Sequence, residues 1–107
     1  MNFEKTFGDT VRKLREEKNL PLREVAEALN IDTSMLGKIE KNSRKPTKRL
    51  IEKFAKFFKV SDRDLTIAFL SDTVAYQVMG EENFASEVLK VAEKKIKYLK
   101  TNKLLDQ

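Results

Sequence analysis

Residues 22–41, Leu-Arg-Glu-Val-Ala-Glu-Ala-Leu-Asn-Ile-Asp-Thr-Ser-Met-Leu-Gly-Lys-Ile-Glu-Lys, constrain this chain more than any other stretch. Val25, Ala26 and Leu29 put apolar groups on one face of a short helix, and Leu36 and Ile39 do the same on a second. Between them the chain must turn sharply at Asn30, and Asn is one of the few non-glycine residues that tolerate a left-handed backbone. Asp32 is placed to cap the second helix. Ala26 is small where two crossing helices come closest. Thr33, Ser34, Met35, Gly37, Lys38 and Lys41 are left facing outward with no core duty.

The rest of the composition narrows the chemistry. The 107 residues suffice for one domain with a modest core and an appendage. Cysteine, histidine and tryptophan are all missing, which removes disulfides, thiolate metal sites, the commonest general base and the best nucleophile. Carboxylates and lysines remain, but they form no His/Asp pair, Gly-rich phosphate loop or metal-ligand cluster, so neither an enzyme nor a cofactor or metal is expected. The net charge of +5 favours a polyanionic partner. No apolar run approaches the roughly 20 residues that span a bilayer. The opening Met-Asn-Phe-Glu-Lys-Thr-Phe-Gly lacks the apolar region of a secretory signal, so no membrane partner and a cytoplasmic location are expected. Three glycines, two prolines and 36% charged residues point to an all-α fold.

The apolar spacing predicts six helices. Phe3, Phe7, Val11 and Leu14 recur along a first helix over about 4–18, stopped by Asn19. Leu20 packs inward, and Pro21 suits the first position of a second helix over about 22–29. A third covers about 33–41 and ends at Asn42. Pro46 holds Lys45 extended. Thr47 caps a fourth helix over 48–58, with Leu50, Ile51, Phe54, Ala55 and Phe58 inward and Val60 beside them. Ser61-Asp62-Arg63-Asp64 resembles a capping box and opens a fifth helix over 62–78. Gly80 ends it, and a sixth runs over about 84–101, beyond which the chain frays.

On these residues the chain resembles the Cro/repressor-like helix-turn-helix family, the lambda-repressor-like DNA-binding domains, from about Phe7 to Leu70. The matching segments are Leu-Arg-Glu-Glu-Lys-Asn-Leu (14–20), Val-Ala-Glu-Ala-Leu-Asn-Ile (25–31), Leu-Gly-Lys-Ile-Glu-Lys-Asn (36–42), Arg-Lys-Pro-Thr (44–47) and Phe-Phe-Lys-Val-Ser (57–61). The resemblance implies a five-helix bundle, here with an additional C-terminal helix, that binds double-stranded DNA as a dimer. It also implies that Glu40 pairs with Arg15, that Thr33, Ser34, Met35 and Lys38 lie on a recognition helix in the major groove, and that Lys41, Arg44 and Lys45 meet the DNA backbone. Two positions depart from the family pattern. Leu22 stands where a phosphate-binding Gln is frequent, which removes that contact or moves it to Arg23, and Asn42 stands where the family has glycine.

From Gly37 to Lys56 the acids are only Glu40 and Glu52, against Lys38, Lys41, Arg44, Lys45, Lys48, Arg49, Lys53 and Lys56. Phosphate neutralisation by such a cluster makes binding steeply salt-dependent. Lys53 and Lys56 read as a solvated face, and Lys38, Lys41, Arg44 and Lys45 as DNA contacts. Thr and Ser hydroxyls and a lysine can read base edges, and Met35 can meet a thymine methyl. Gly37 costs roughly 1 kcal/mol relative to Ala inside a helix. Either close approach of DNA or close contact with a neighbouring helix explains it.

Residues 1–70 then form the DNA-binding domain and 71–107 a C-terminal extension. The fifth helix has surplus apolar faces and the sixth an apolar stripe. Phe69, Val74, Tyr76, Val78, Phe84, Val88, Val91 and Leu99 are expected in or beneath a two-fold homodimer interface; the alternative is that the last helix packs on its own chain. Lys90, Lys94, Lys95, Lys97, Lys100 and Lys103 form a solvated face. A symmetric dimer sets two recognition helices about 34 Å apart. The expected function is a sequence-specific transcriptional regulator on a palindromic operator, of repressor or restriction–modification controller type, with RNA polymerase as a possible contact. The alternative is an antitoxin that neutralises a toxin and autoregulates its operon.

Overall fold

The start of the first helix shows how this chain is tied together. The computed structural model describes the backbone of residues 1–105 and the side chains of residues 1–102. The described residues form six helices, α1 (Phe7–Glu17), α2 (Leu22–Leu29), α3 (Thr33–Glu40), α4 (Lys48–Phe58), α5 (Asp62–Val78) and α6 (Ala85–Leu105), and no strand. Helix α1 opens with backbone N–H groups that have no partner within the helix. Three side chains from three parts of the chain accept them. Asp72 Oδ2 of α5 takes the Phe7 N–H at 2.7 Å, Asn42 Oδ1 takes that of Gly8 at 3.0 Å, and Thr6 Oγ1 takes that of Asp9 at 3.1 Å. The cap at Thr6 starts α1 at Phe7, later than the spacing of Phe3 suggests. Phe3 lies outside the helix and is exposed.

Four helices end by one device. Asn19, Asn30, Asn42 and Lys59 have φ values of 54°, 58°, 63° and 56°. After each, the next residue's N–H returns to the carbonyl five positions back: Leu20 to Arg15, Ile31 to Ala26, Ser43 to Lys38 and Val60 to Ala55. This is the left-handed helix stop, normally sealed by an apolar residue after it. Leu20, Ile31 and Val60 supply that contact against the core. Ser43, which follows α3, is exposed instead. Lysine at the fourth stop carries no sequence signal, because an L-residue with a long side chain is disfavoured there.

The chain divides into two units, Met1–Asp72 and Thr73–Gln107. In the first, Phe7, Val11, Val25, Ala26, Leu29, Leu36, Ile39, Leu50, Ile51, Phe54, Ala55, Phe58, Leu65 and Ala68 form one core. Phe54 is fully buried at its centre, edge-on to Phe7 with ring centroids 6.0 Å apart and stacked on Phe58 at 6.3 Å. Thr47 Oγ1 accepts the Leu50 N–H at 3.1 Å, and Ser61 Oγ accepts that of Asp64 at 3.2 Å, which places the starts of α4 and α5. Pro21 stands at the cap of α2, one residue earlier than its expected place inside the helix. In the second unit α6 continues to Leu105, four residues past the expected end at Thr101. The lysines and leucines there keep good helix propensity, and no Gly or Pro intervenes.

Candidate nucleic-acid interface

Helix α3 is two-sided. Leu36, Ile39 and Glu40 are buried, whereas Thr33, Ser34 and Lys38 are exposed. Met35 is half-buried and rests against the core, a departure from the exposure expected of it. Its long flexible side chain reaches back over the turn before it, where the core offers apolar contact. Gly37 is decided by space: a Cβ added there meets no atom within 4 Å. Among the described residues no neighbouring helix requires a glycine at that position. Asp32 sits at the cap position of α3 with extended backbone, but its side chain makes no capping hydrogen bond.

Glu40 is the one buried charged residue among those described. Arg15 holds it with two parallel bonds, Nε to Oε2 at 2.8 Å and Nη2 to Oε1 at 3.0 Å, and spends Nη1 on the Leu20 carbonyl at 2.9 Å. The hydrogen bond that Arg15 donates to Glu40 raises the Arg15 pKa above its ordinary value; burial opposes this, and the nearby charges of Glu40 and Glu16 add to it. The fork matches the carboxylate plane, which a lysine cannot do. The pair neutralises the acid that would otherwise repel a polyanion from α3.

The end of α3 is seated by Gly8, a residue that apolar spacing does not single out. A Cβ on Gly8 would stand 2.5 Å from the Glu40 carbonyl, 2.6 Å from that of Ile39 and 2.7 Å from Asn42 Oδ1. Glycine in the first turn of a helix is the only signal available beforehand. Asp72 has none at all, since it lies 65 residues from the N–H it accepts.

Beyond α3, Lys41, Arg44 and Lys45 are exposed on a loop whose Pro46 is buried. Among the described residues no ion pair involves Lys38, Lys41, Arg44 or Lys45. Arg23 is exposed and pairs with Glu27 at 3.5 Å on the surface of α2, while Leu22 rests on the core. Lys53 is not simply solvated: its Nζ donates to the Leu29 carbonyl at 3.3 Å and ties α4 to the end of α2. Lys56 is exposed.

The residues expected at a dimer interface fall in different settings. Phe69 packs edge-on against Phe7, with ring centroids 5.8 Å apart, and so belongs to the edge of the first unit's core. Val74, Tyr76, Phe84, Val88, Val91 and Leu99 are exposed, and Val78 is half-buried.

A buried Arg–Glu fork behind a two-sided helix, whose outer face carries hydroxyls, a glycine and a lysine and is followed by exposed cations, fits a helix-turn-helix domain. A helix-turn-helix family model matches residues 11–65, from α1 into α5. The chain belongs to this family, of the Cro/C1-type, XRE-like kind, whose members are DNA-binding transcription regulators. No curated protein and no solved structure matches the chain. No helix among the described residues is long and apolar enough to cross a membrane.

Proposed function

We propose that the chain is a cytoplasmic, sequence-specific regulator that binds a palindromic duplex operator as a homodimer and represses or controls transcription by occupying it. The observation that carries this reading is the outward face of α3. Thr33, Ser34 and Lys38 are exposed, and the space over Gly37 is open. Thr33 and Ser34 read base edges through their hydroxyls, and Lys38 donates to guanine O6 or N7. Met35, partly seated on the core, offers its outer methyl to a thymine. Gly37 lets the DNA backbone come close, and Lys41, Arg44 and Lys45 neutralise phosphates on either side of the groove. Arg23 is held weakly enough by Glu27 to exchange that exposed partner for a phosphate. Selection from random duplexes at two salt concentrations tests the reading. A two-fold symmetric consensus and a steep loss of affinity with salt are expected. Salt-insensitive binding, or enrichment of no sequence, would overturn it.

A further inference from the structure

The second unit carries two features that DNA reading does not use. The first is an apolar arc on α6. At 3.6 residues per turn, Val88, Leu89, Ala92, Ile96 and Leu99, with Phe84 just ahead of the helix, fall on one side and span about two-fifths of the circumference. Phe84, Val88, Leu89, Ile96 and Leu99 are between 42% and 61% exposed. Lys95 also lies inside this arc rather than on the opposite lysine face, and its four-carbon stem can follow the apolar surface while the ammonium stays in water. The second feature is lopsided charge. Glu81, Glu82, Glu87 and Glu93 face only Lys90 in residues 81–93, a net −3, whereas residues 94–103 hold five lysines and no acid. The helix macrodipole rewards such an arrangement only in the first and last turns. The change of sign at Glu93–Lys94 falls in the middle of Ala85–Leu105.

On a regular helix Glu87, Glu93, Lys94 and Lys100 all lie outside the arc, so the charge a partner helix meets is that of each half. Flanking charges set the partner and direction of paired helices. In a parallel pair the acidic half lies beside the acidic half of the second copy and the basic half beside the basic. In an antiparallel pair each acidic half lies beside a basic one.

We propose that a second copy of α6 covers this face, running antiparallel about a two-fold axis between Glu93 and Lys94. The inference rests on the homodimer reading and names its interface and direction. The small Ala92 lets the helices approach at the crossing, and Val88 comes opposite Leu99 of the other copy. The apolar arc supplies the affinity. The opposed charges of the two halves add little stability and select the direction.

Single-cysteine variants test this, because the chain has no cysteine of its own. Val88→Cys and Leu99→Cys are made separately in the full-length chain and oxidised alone and mixed. Sedimentation of the unsubstituted chain is run beside them. In the antiparallel pair each cysteine stands about 16 Å along the axis from its own copy, too far for a disulfide. A dimer whose cross-link forms only in the mixture is expected. Cross-links from each variant alone would establish parallel pairing and overturn the inference. A dimer with no cross-link in any sample would place the interface elsewhere, leaving the homodimer but not this account of it. A monomer at all concentrations would overturn both.

Discussion

Asn42 Oδ1 accepts the Gly8 N–H at 3.0 Å across 34 residues of sequence, while Asn42 Nδ2 donates to Thr6 Oγ1 at 2.9 Å. The same residue, at φ 63°, ends α3. One asparagine therefore closes α3 and helps to open α1. Replacement by glycine separates the two duties: it relaxes the backbone but leaves the buried Gly8 N–H without its acceptor. Asn42→Gly is expected to cost about 1–2 kcal/mol in urea unfolding. Lys59→Gly, at φ 56° with an exposed side chain, is expected to gain up to about 1 kcal/mol. A gain from both would show that the Asn42 side chain is dispensable.

Gly8 and Gly37 respond oppositely to one added methyl. Gly8→Ala drives a Cβ into the Glu40 and Ile39 carbonyls, and overpacking of this kind costs about 1–3 kcal/mol. Gly37→Ala meets nothing in the chain and removes a helix penalty, so the melting temperature should rise with a gain of about 1 kcal/mol. Its operator affinity should nevertheless fall, by about tenfold, equivalent to 1.4 kcal/mol. Undiminished affinity in Gly37→Ala would remove close DNA approach as the reason for this glycine.

Breaking the Arg15–Glu40 fork from either side strands a buried charge. Arg15→Met alone or Glu40→Leu alone is expected to lose about 3–5 kcal/mol, and the double replacement much less than the sum. Additive losses in denaturant unfolding would show that the two residues act independently. The pH behaviour follows from the raised Arg15 pKa. A raised folded-state value gives stabilisation that is complete below the ordinary guanidinium pKa and is lost only as pH rises through the higher value. No change in stability from Arg15 is therefore expected between pH 5 and about pH 9.

Base reading and phosphate binding separate in competition assays. Lys38→Ala should relax preference at one base step by about 1–3 kcal/mol. Arg44→Ala should weaken all sequences alike and reduce the salt slope by about one for each copy bound. Equal losses from both variants on every duplex would refute this division of labour.

Much of the first unit is legible in its residues. The turn at Asn30, the cap at Thr47 and the inward faces of α2, α3 and α4 each follow from local rules of spacing, capping and backbone preference. What failed was also local at heart. Phe3 continues the apolar spacing of α1, but Thr6 offers the stronger start. Met35 carries no local sign that it will lean on the core. Lys59 violates the preference that marks the other three helix stops, and only neighbours that fix the chain on both sides can hold it there.

Most helix boundaries, the apolar faces and the charge pattern of α6 were written in the order of residues, because each depends on neighbours a few positions away. Three arrangements were settled by folding: Asp72 reaching the start of α1, Gly8 seating the carbonyls of α3, and the open space over Gly37. Each joins or clears atoms far apart in the chain. Their distances follow from how whole helices stack around Phe54, and no local preference encodes that.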